Sequence, residues 1–562
     1  MKMNVQILPD GKHSLSTGKP DLVSGTVWDN DRFVTGTELA SLFARASTVA
    51  EASRLCSRLT GRFRWIRVQM DSVWLAADHL QSMPVFYTID GNTVRIGTTP
   101  GAVAASMDDP QPDPLLAAEY LVLGYITGNE TLMRNIRQVE PGTLLEISGG
   151  RNDQPVRTTV HRYMHYAHTY RDDSRERFSR YLDDIVMQTM EKAVRYADGR
   201  PIILPLSGGY DSRLIALSLA RLNYPEVHCI SYGTTGSTEM NVSRQVAGEL
   251  GFRWTGVQYT REKWRSWFNS AERRAYYRKA SREARIPNIQ ELAAFGELKE
   301  NRLVPEHGVV MGGHLGDALV GGKGIYDSFT YRERPETNPE TIIRHILHYH
   351  YYLWDWSPYR AGLEPWFRKR ILDDLGDIER YPDSPSACEM WNIRERQSRF
   401  IVTAGQLYDY FGYDFWMPFC DQDYLRFWLT VPLRYRHDKS LYTSYINRLS
   451  PVKTATHQPE KSVLALREAI RNTPLFVPAR NLYQRWDRHR KKQREYHRHP
   501  MAWYGIMEPD DFNTLFTGRE NINSFQSLEL LRTLLENGYL SPDCILKSAT
   551  GCLSGMEPAD RS

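Results

Sequence analysis

The sequence predicts an α+β chain in two large parts: a β-rich layered part, then an alternating α/β part with a mostly parallel sheet. Three observations predict it. Residues 61–99 hold short apolar runs broken by turn residues, the pattern of strands and hairpins. From residue 201 the period changes to strand, helix, strand. Between the two lies a polar stretch, "RNDQPVRTTVHRYMHYAHTYRDDS" (151–174), which is read as the link. A chain of 562 residues is also too long for one hydrophobic core.

The elements follow in order. Residues 38–59, "ELASLFARASTVAEASRLCSRL", read as a helix. "GRFRWIRVQ" (61–69) and "SVWLAAD" (72–78) read as strands with a turn at Asp71, and "MPVFYTIDGNTVRIGTT" (83–99) as a hairpin around Asp90-Gly91. "DPLLAAEYLVLG" (113–124) is helical, with Asp113 as its cap. Residues 175–197 make one long amphipathic helix leading to a strand that starts near 201. Residues 214–222 are helical, 226–233 form the second strand, and 237–251 form the second helix, capped by Ser237. "HGVVMGG" (307–313) is a later strand that ends in glycines. The region after 390 is helical and aromatic, and 523–538 is a further helix. The basic run 485–499 reads as a solvated face, with phosphate contact as the alternative.

Composition excludes several classes. Apolar residues make up 41% and charged residues 25%, as in a folded soluble protein. A net charge of +4 is too small to demand nucleic acid or membrane as partner. There is no stretch of 18 apolar residues and no apolar core of signal-peptide length at the start, so a cytoplasmic protein is expected. The cysteines at 56, 229, 388, 420, 544 and 552 form no CxxC pair, so neither a disulfide framework nor structural zinc is expected. Many of the 14 Trp and 32 Tyr fall between 340 and 430, which suits a large half-polar pocket or ordinary core packing.

The stretch "LPLSGGYDSR" (204–213) carries the chemistry. A strand that turns through Gly208-Gly209 into a helix places backbone N–H groups where phosphate or pyrophosphate can bind. Ser207 and Ser212 add hydroxyl donors, and Arg213 adds charge. Asp211 and Asp317, from two strand ends, can share one magnesium–phosphate, since magnesium takes oxygen ligands. The same residues also suit a tight turn and two loop caps. Strand ends at 207–213, 231–239 and 312–317 together point to a nucleotide site. Neither GxxxxGK[ST] nor an early GxGxxG is present.

"SGGYDSR", "SYGTTGSTEMNVSRQVAGELG" and "GGHLGDALVGG", in this order, resemble the synthetase part of the asparagine synthetase family. "YDFWMPFCD" (413–421) resembles the family's "LExRxPFLD" segment. "GRFRWIRVQMDSVWLAADHLQSMPVFYT" and "YLVLGYITGNETLMRNIRQVEPGTLLEI" (120–147) resemble its amino-terminal part, so the likeness runs from 61 to about 465. It implies an Ntn-hydrolase-like glutaminase fold at 1–170, a PP-loop synthetase domain at 171–480, and a basic helical extension at 481–562 packed on that domain. It implies ATP and Mg2+ as cofactors. The nucleotide would contact Leu206, Ser207, Gly208, Gly209, Asp211, Ser212, Ser231, Tyr232, Gly233 and Gly313, with Ser237 and Glu239 nearby; Asp211 and Asp317 would hold the metal.

Two departures from the family pattern and one match shape the expected function. The family's glutaminase starts with a nucleophilic cysteine at residue 2, where this sequence has Lys2; its first cysteine is Cys56, inside a helical stretch, so no glutaminase activity is expected. His314 stands where asparagine synthetases have a glutamate and the β-lactam synthetase branch a tyrosine. His314 is then the expected amine base and Asp414 its orienting carboxylate. The family's catalytic lysine matches Lys461 in "ATHQPEKSVLA", with Lys453 as its rival. The resemblance is to the branch without glutaminase: β-lactam synthetase, carbapenam synthetase and lasso-peptide cyclase, enzymes of antibiotic biosynthesis. It implies activation of a carboxylate as its adenylate, release of pyrophosphate, and amide formation, by preference within one peptide or natural-product substrate. The alternatives are an intermolecular ligase using ammonia or a separate amine, and an inactive scaffold. Expected partners are a carboxylate-bearing small molecule or peptide, an amine, and an enzyme of the same biosynthetic pathway, but no nucleic acid and no membrane.

Overall fold

A computed structural model describes residues 3–8, 21–150, 155–280, 283–321, 337–450, 496, 509–538 and 540–555. The amino-terminal part contains two sheets. The first has four strands in the order β1 (Asn4–Ile7), β7 (Thr93–Gly97), β6 (Phe86–Asp90), β8 (Arg137–Gln138). The second has six, ordered β10 (Arg157–Arg162), β9 (Thr143–Ser148), β5 (Ser72–Ala77), β4 (Leu59–Val68), β2 (Asp21–Asp29), β3 (Arg32–Thr35). Their facing sides share one apolar cluster, with Val94, Ile96 and Tyr87 from the first sheet against Ile66, Leu75 and Leu145 from the second. Helices α1 (Gly36–Ala44) and α2 (Val49–Arg58) cover the outer face of the six-stranded sheet, packing Phe43 and Leu55 against Trp65 and Trp74.

Most of the expected elements form, and the differences have local causes. The single helix expected over 38–59 is two, because Thr48 and Glu51 make a reciprocal capping box that starts a new helix. The expected hairpin is β6–β7, antiparallel from Phe86↔Gly97 to Asp90↔Thr93. The stretch expected to be all link holds β10, a polar strand antiparallel to β9 at a sheet edge, where one polar face stays in water. Helices α3 (Pro100–Ala104) and α4 (Pro114–Leu123) follow, and Asp113 caps α4 by accepting from Leu115 N at 2.8 Å.

Helix α5 (Arg175–Ala197) leads into a five-stranded, wholly parallel sheet ordered β13 (Arg253–Gln258), β12 (Val227–Gly233), β11 (Ile202–Pro205), β14 (Val309–Met311), β15 (Asp414–Trp416). The first strand in sequence, β11, lies in the middle. The chain winds outward from it to one side through β12 and β13, then returns to its other side with β14. This reversal opens a crevice at the carboxyl ends of β11 and β14, where ligands bind in open α/β sheets. Helices α6 (Tyr210–Arg221) and α7 (Thr238–Glu249) follow β11 and β12, and Ser237 Oγ accepts from Met240 N to cap α7. None of the described helices is long and apolar enough to cross a membrane.

Charged groups knit the amino-terminal sheets to the later helices. Arg370, in helix Arg360–Leu375, donates to Glu119 Oε1 at 2.9 Å, Glu130 Oε2 at 2.5 Å and Thr127 O at 2.7 Å. Arg394, in the π-helical turn Ile393–Ile401, donates to Glu140 Oε2 at 2.8 Å. Glu119 is fully buried, so its charge depends on that guanidinium. Arg370→Met is expected to cost about 3–5 kcal/mol in chemical denaturation, the range for one partner removed from a buried pair.

Candidate active site

The loop after β11 lies at the carboxyl edge of the parallel sheet. Leu206 N donates to Ile230 O at 2.8 Å, which keeps this end in register with β12. Ser212 Oγ accepts from Ser207 N at 3.0 Å and lies 3.1 Å from Ser207 Oγ; Gly209 N donates to Ser207 Oγ at 3.1 Å. Helix α6 starts at Tyr210 with Gly209 as its cap residue and no side-chain cap bond. Its first turn therefore faces the crevice with the positive end of the helix dipole and no capping side chain, a place for an anion. Arg213 does not supply the expected charge there. It is buried, and its guanidinium turns back to donate to Gly208 O at 2.9 Å.

The loop after β14 packs on this one through its glycines. A Cβ on Gly316 would lie 2.8 Å from Asp211 Cγ, and one on Gly313 would lie 3.0 Å from Ser212 N. Only hydrogen at these positions allows the approach. Tyr424 Oη fixes the loop by donating to Gly316 O at 2.7 Å. The approach brings Asp211 and Asp317 close enough to repel. Burial first, and then the charge of Asp317, push the Asp211 carboxyl up to about 7. Two groups oppose this: Tyr442 Oη donates to Asp211 Oδ1 at 2.7 Å, and Lys439 Nζ lies 2.5 Å from Asp317 Oδ2.

These residues fit a divalent cation. Two carboxylates held together at an energetic cost are relieved by a cation between them. Among the described residues no group of three or more His, Cys, Asp or Glu could hold a metal ion. Magnesium commonly takes only one or two carboxylates and completes its shell with water and substrate phosphate.

The expected nucleotide residues converge. Leu206, Ser207, Ser231, Tyr232, Gly233, Ser237 and Glu239 line one cavity of about 260 Å3 at the ends of β11 and β12. Tyr232 stacks on Tyr259 with ring centroids 5.3 Å apart. A larger cavity, about 760 Å3, is walled by Tyr352, Trp354, Trp356 and several arginines, and none of its described lining residues belongs to the first.

Asp414 does not pair with His314. It is the first residue of β15, paired with Val309, the first residue of β14, and Val309 pairs with Ile202, the first of β11. Asp414 therefore sits at the amino edge of a parallel sheet whose site is at the carboxyl edge. There it accepts from Arg200 Nη1 at 2.7 Å. His314 does lie on the loop after β14, its ring against Gly312, and its Nδ1 is buried with no hydrogen-bond partner among the described residues. Burial pulls its pKa down to about 4, so the ring is uncharged at neutral pH and weakly basic. Lys461 and Lys453 lie outside the described residues, as do residues 485–495 and 497–499 of the basic run.

Four residues of the site escaped the sequence reading. Lys439 and Tyr442 come from the turn before helix Ser440–Leu449 and from its first turn; Asp438 and Lys439 both have left-handed backbone, φ 48° and 57°. Glu291 lines the 260 Å3 cavity, and Tyr408 Oη donates to its Oε2 at 2.8 Å. The only local signal was a cation three residues before a tyrosine at a helix start, which is common on any surface.

A central parallel strand, a glycine turn into an uncapped helix and a facing pair of carboxylates meet in one crevice of an α/β sheet. The asparagine synthase family model matches residues 186–485, more than half of the chain, and the chain belongs to that family. No curated protein matches the chain. Two solved structures are similar over part of it. One is titled as the allosteric regulatory enzyme of purine biosynthesis, at 12% identity over 42% of this chain and 59% of that one, TM-score 0.18. The other is glutamine phosphoribosylpyrophosphate amidotransferase from B. subtilis, at 13% identity over 53% of this chain and 56% of that one, TM-score 0.17. The chain thus spans a little over half the length of each, at scores too low to assign a shared fold.

Gly316→Ala is expected to displace Asp211, because the added carbon meets its carboxyl carbon inside van der Waals contact. Pyrophosphate release should fall at least tenfold while the thermal midpoint moves by only a few degrees, since the clash is confined to two loops at the sheet edge.

Proposed function

We propose that the chain activates a substrate carboxylate with ATP as an acyl-adenylate, releases pyrophosphate, and closes an amide with an amine of the same substrate molecule, breaking the acyl–phosphate bond and releasing AMP and a proton. The observation that carries the first half is the Asp211–Asp317 pair across the glycine contact, facing the uncapped start of α6. In this reading the part from 171 to 480 is a PP-loop synthetase domain, and the β layers before it have the Ntn-hydrolase-like arrangement.

The residues divide the work. The α6 start with Ser207 and Ser212 would receive the pyrophosphate, and Asp211 and Asp317 would hold magnesium. Bound there, magnesium would neutralise phosphate charge and stabilise the leaving pyrophosphate. Lys439, already beside Asp317, would add a fixed cation where negative charge grows. The cavity at Ser231–Gly233 would take the nucleoside.

Glutamine is set aside as the source of the amine for a chemical reason. The one cysteine among residues 1–170 is Cys56, buried in α2, and burial pushes its thiol well above the ordinary range. A buried thiol that stays protonated is no nucleophile for glutamine. The uncharged His314 beside the metal loop suits accepting a hydrogen bond from a neutral amine better than removing a proton from an ammonium ion.

The test is ATP–pyrophosphate exchange with a panel of amino-bearing carboxylic acids, followed by mass analysis of products. Asp211→Asn and Asp317→Asn should each remove most exchange with little loss of folding. Lys439→Met should lower it by roughly 10²–10³, as for one lost transition-state donor. A product lighter than its substrate by one water supports ring closure. A product that has gained a second amine identifies an intermolecular ligase, and no exchange with any acid points to a scaffold.

A further inference from the structure

The cavity at the ends of β11 and β12 contains a group that the proposed reaction does not use. Glu291 forms part of its wall and is only 8% exposed. Tyr408 Oη donates to its Oε2 at 2.8 Å, and Tyr232 and Asn288 also hydrogen-bond to the carboxyl. Among the described residues no Lys, Arg or His lines this cavity, and its second acidic residue is Glu239 on α7. Such a cavity repels polyphosphate. The cation and the uncapped helix that attract phosphate lie next door, at Lys439 and the start of α6. The moiety that enters is then the uncharged part of a nucleotide, with the rings of Tyr232 and Tyr259 in the walls to receive it.

We infer that Glu291 reads the edge of an adenine base from the wall of this cavity, acting as a neutral carboxyl. The inference rests on the nucleotide site proposed above and adds the residue that recognises the base. Adenine presents the N6 amino donor beside a ring-nitrogen acceptor, N7 in one direction and N1 in the other. A neutral carboxyl offers a carbonyl acceptor beside an O–H donor, which matches either edge. An ionised carboxylate has only acceptors and meets the ring nitrogen with repulsion. Burial pushes Glu291 up to about 7, against the opposing effect of its hydrogen bonds from Tyr408, Tyr232 and Asn288. The phenols of Tyr408, Tyr232, Tyr259 and Tyr276 around it are themselves pushed well above 10 by burial, so they stay neutral wherever Glu291 titrates. Glu291 is thus neutral below about pH 7 and ionised above it, and adenine binding should weaken as pH rises through that point.

Glu291→Gln is the discriminating variant. A carboxamide carries the acceptor and donor of the neutral acid at every pH and is a known match for adenine. Calorimetry of the full chain would use Mg-ATP at pH 6.5 and 8.5, with Mg-tripolyphosphate as a probe that lacks the base. Wild type should bind ATP about tenfold or more weakly at pH 8.5 than at 6.5, and Glu291→Gln should lose none of that. Comparing the two proteins cancels the titration of the nucleotide itself. Glu291→Ala should weaken ATP about tenfold at pH 6.5 and leave tripolyphosphate unchanged. Equal pH dependence in wild type and Glu291→Gln overturns the inference. So does a loss of tripolyphosphate binding in Glu291→Ala that matches its loss of ATP, since Glu291 would then prop the loops. Should the alanine variant not fold, the glutamine comparison decides alone. Wild type that binds tripolyphosphate but no ATP also overturns the inference, and wild type that binds neither overturns the nucleotide site itself.

Discussion

Two carboxylates, Asp211 and Asp317, are brought together at the carboxyl edge of the parallel sheet, and much of the structure serves that arrangement. Asp211 and Asp317 leave adjacent strands of the parallel sheet, and the missing side chains of Gly313 and Gly316 let their loops meet. Burial first, and the charge of Asp317 second, disfavour ionisation of Asp211. Tyr442 and Lys439 reduce that cost without removing it. A carboxylate pair kept at such a cost is relieved by a cation bound between its members.

The groups that oppose the repulsion are themselves held from a distance. Lys439 follows a turn whose Arg436 is fully buried and donates to Glu389, which also binds His168 Nε2 at 2.7 Å. His168 belongs to the stretch between the β layers and α5, so the connection between the two parts also sets the turn that places the lysine. Tyr408 is anchored in the same manner. Its helix, Gly405–Phe411, follows the π-helical turn whose Glu395 accepts from Gly128 N at 3.3 Å and from Arg399 Nε at 2.6 Å. The amino-terminal sheets therefore brace the helices that carry Tyr408 and Lys439, and they do so with charged seams that are costly to break.

Much of this was legible in the sequence where the signal is local. "SGGYDSR" announces a strand-to-helix turn because glycine there has few other uses, and the 175–197 helix shows in its period. The boundary inside 38–59 was also written locally, in Thr48 and Glu51. Other features depend on contacts between distant residues. Glu291 meets Tyr408, and Asp211 meets Tyr442, across long stretches of chain with no repeated pattern to pair them. The sequence reading paired Asp414 with His314, but Asp414 opens a parallel strand and so lies a strand's length from the carboxyl-edge crevice. His314 was placed on the correct loop, but its acidity depends on burial that no motif records.

The central claim is that the two loops form one metal-bound pyrophosphate site. The most direct measurement is a crystal structure with manganese and pyrophosphate, with manganese located by its anomalous scattering. The account predicts one anomalous peak within about 2.5 Å of carboxylate oxygens of both Asp211 and Asp317, with pyrophosphate density against the start of α6. Manganese bound elsewhere, with the two carboxylates left in contact only with Tyr442 and Lys439, would contradict it.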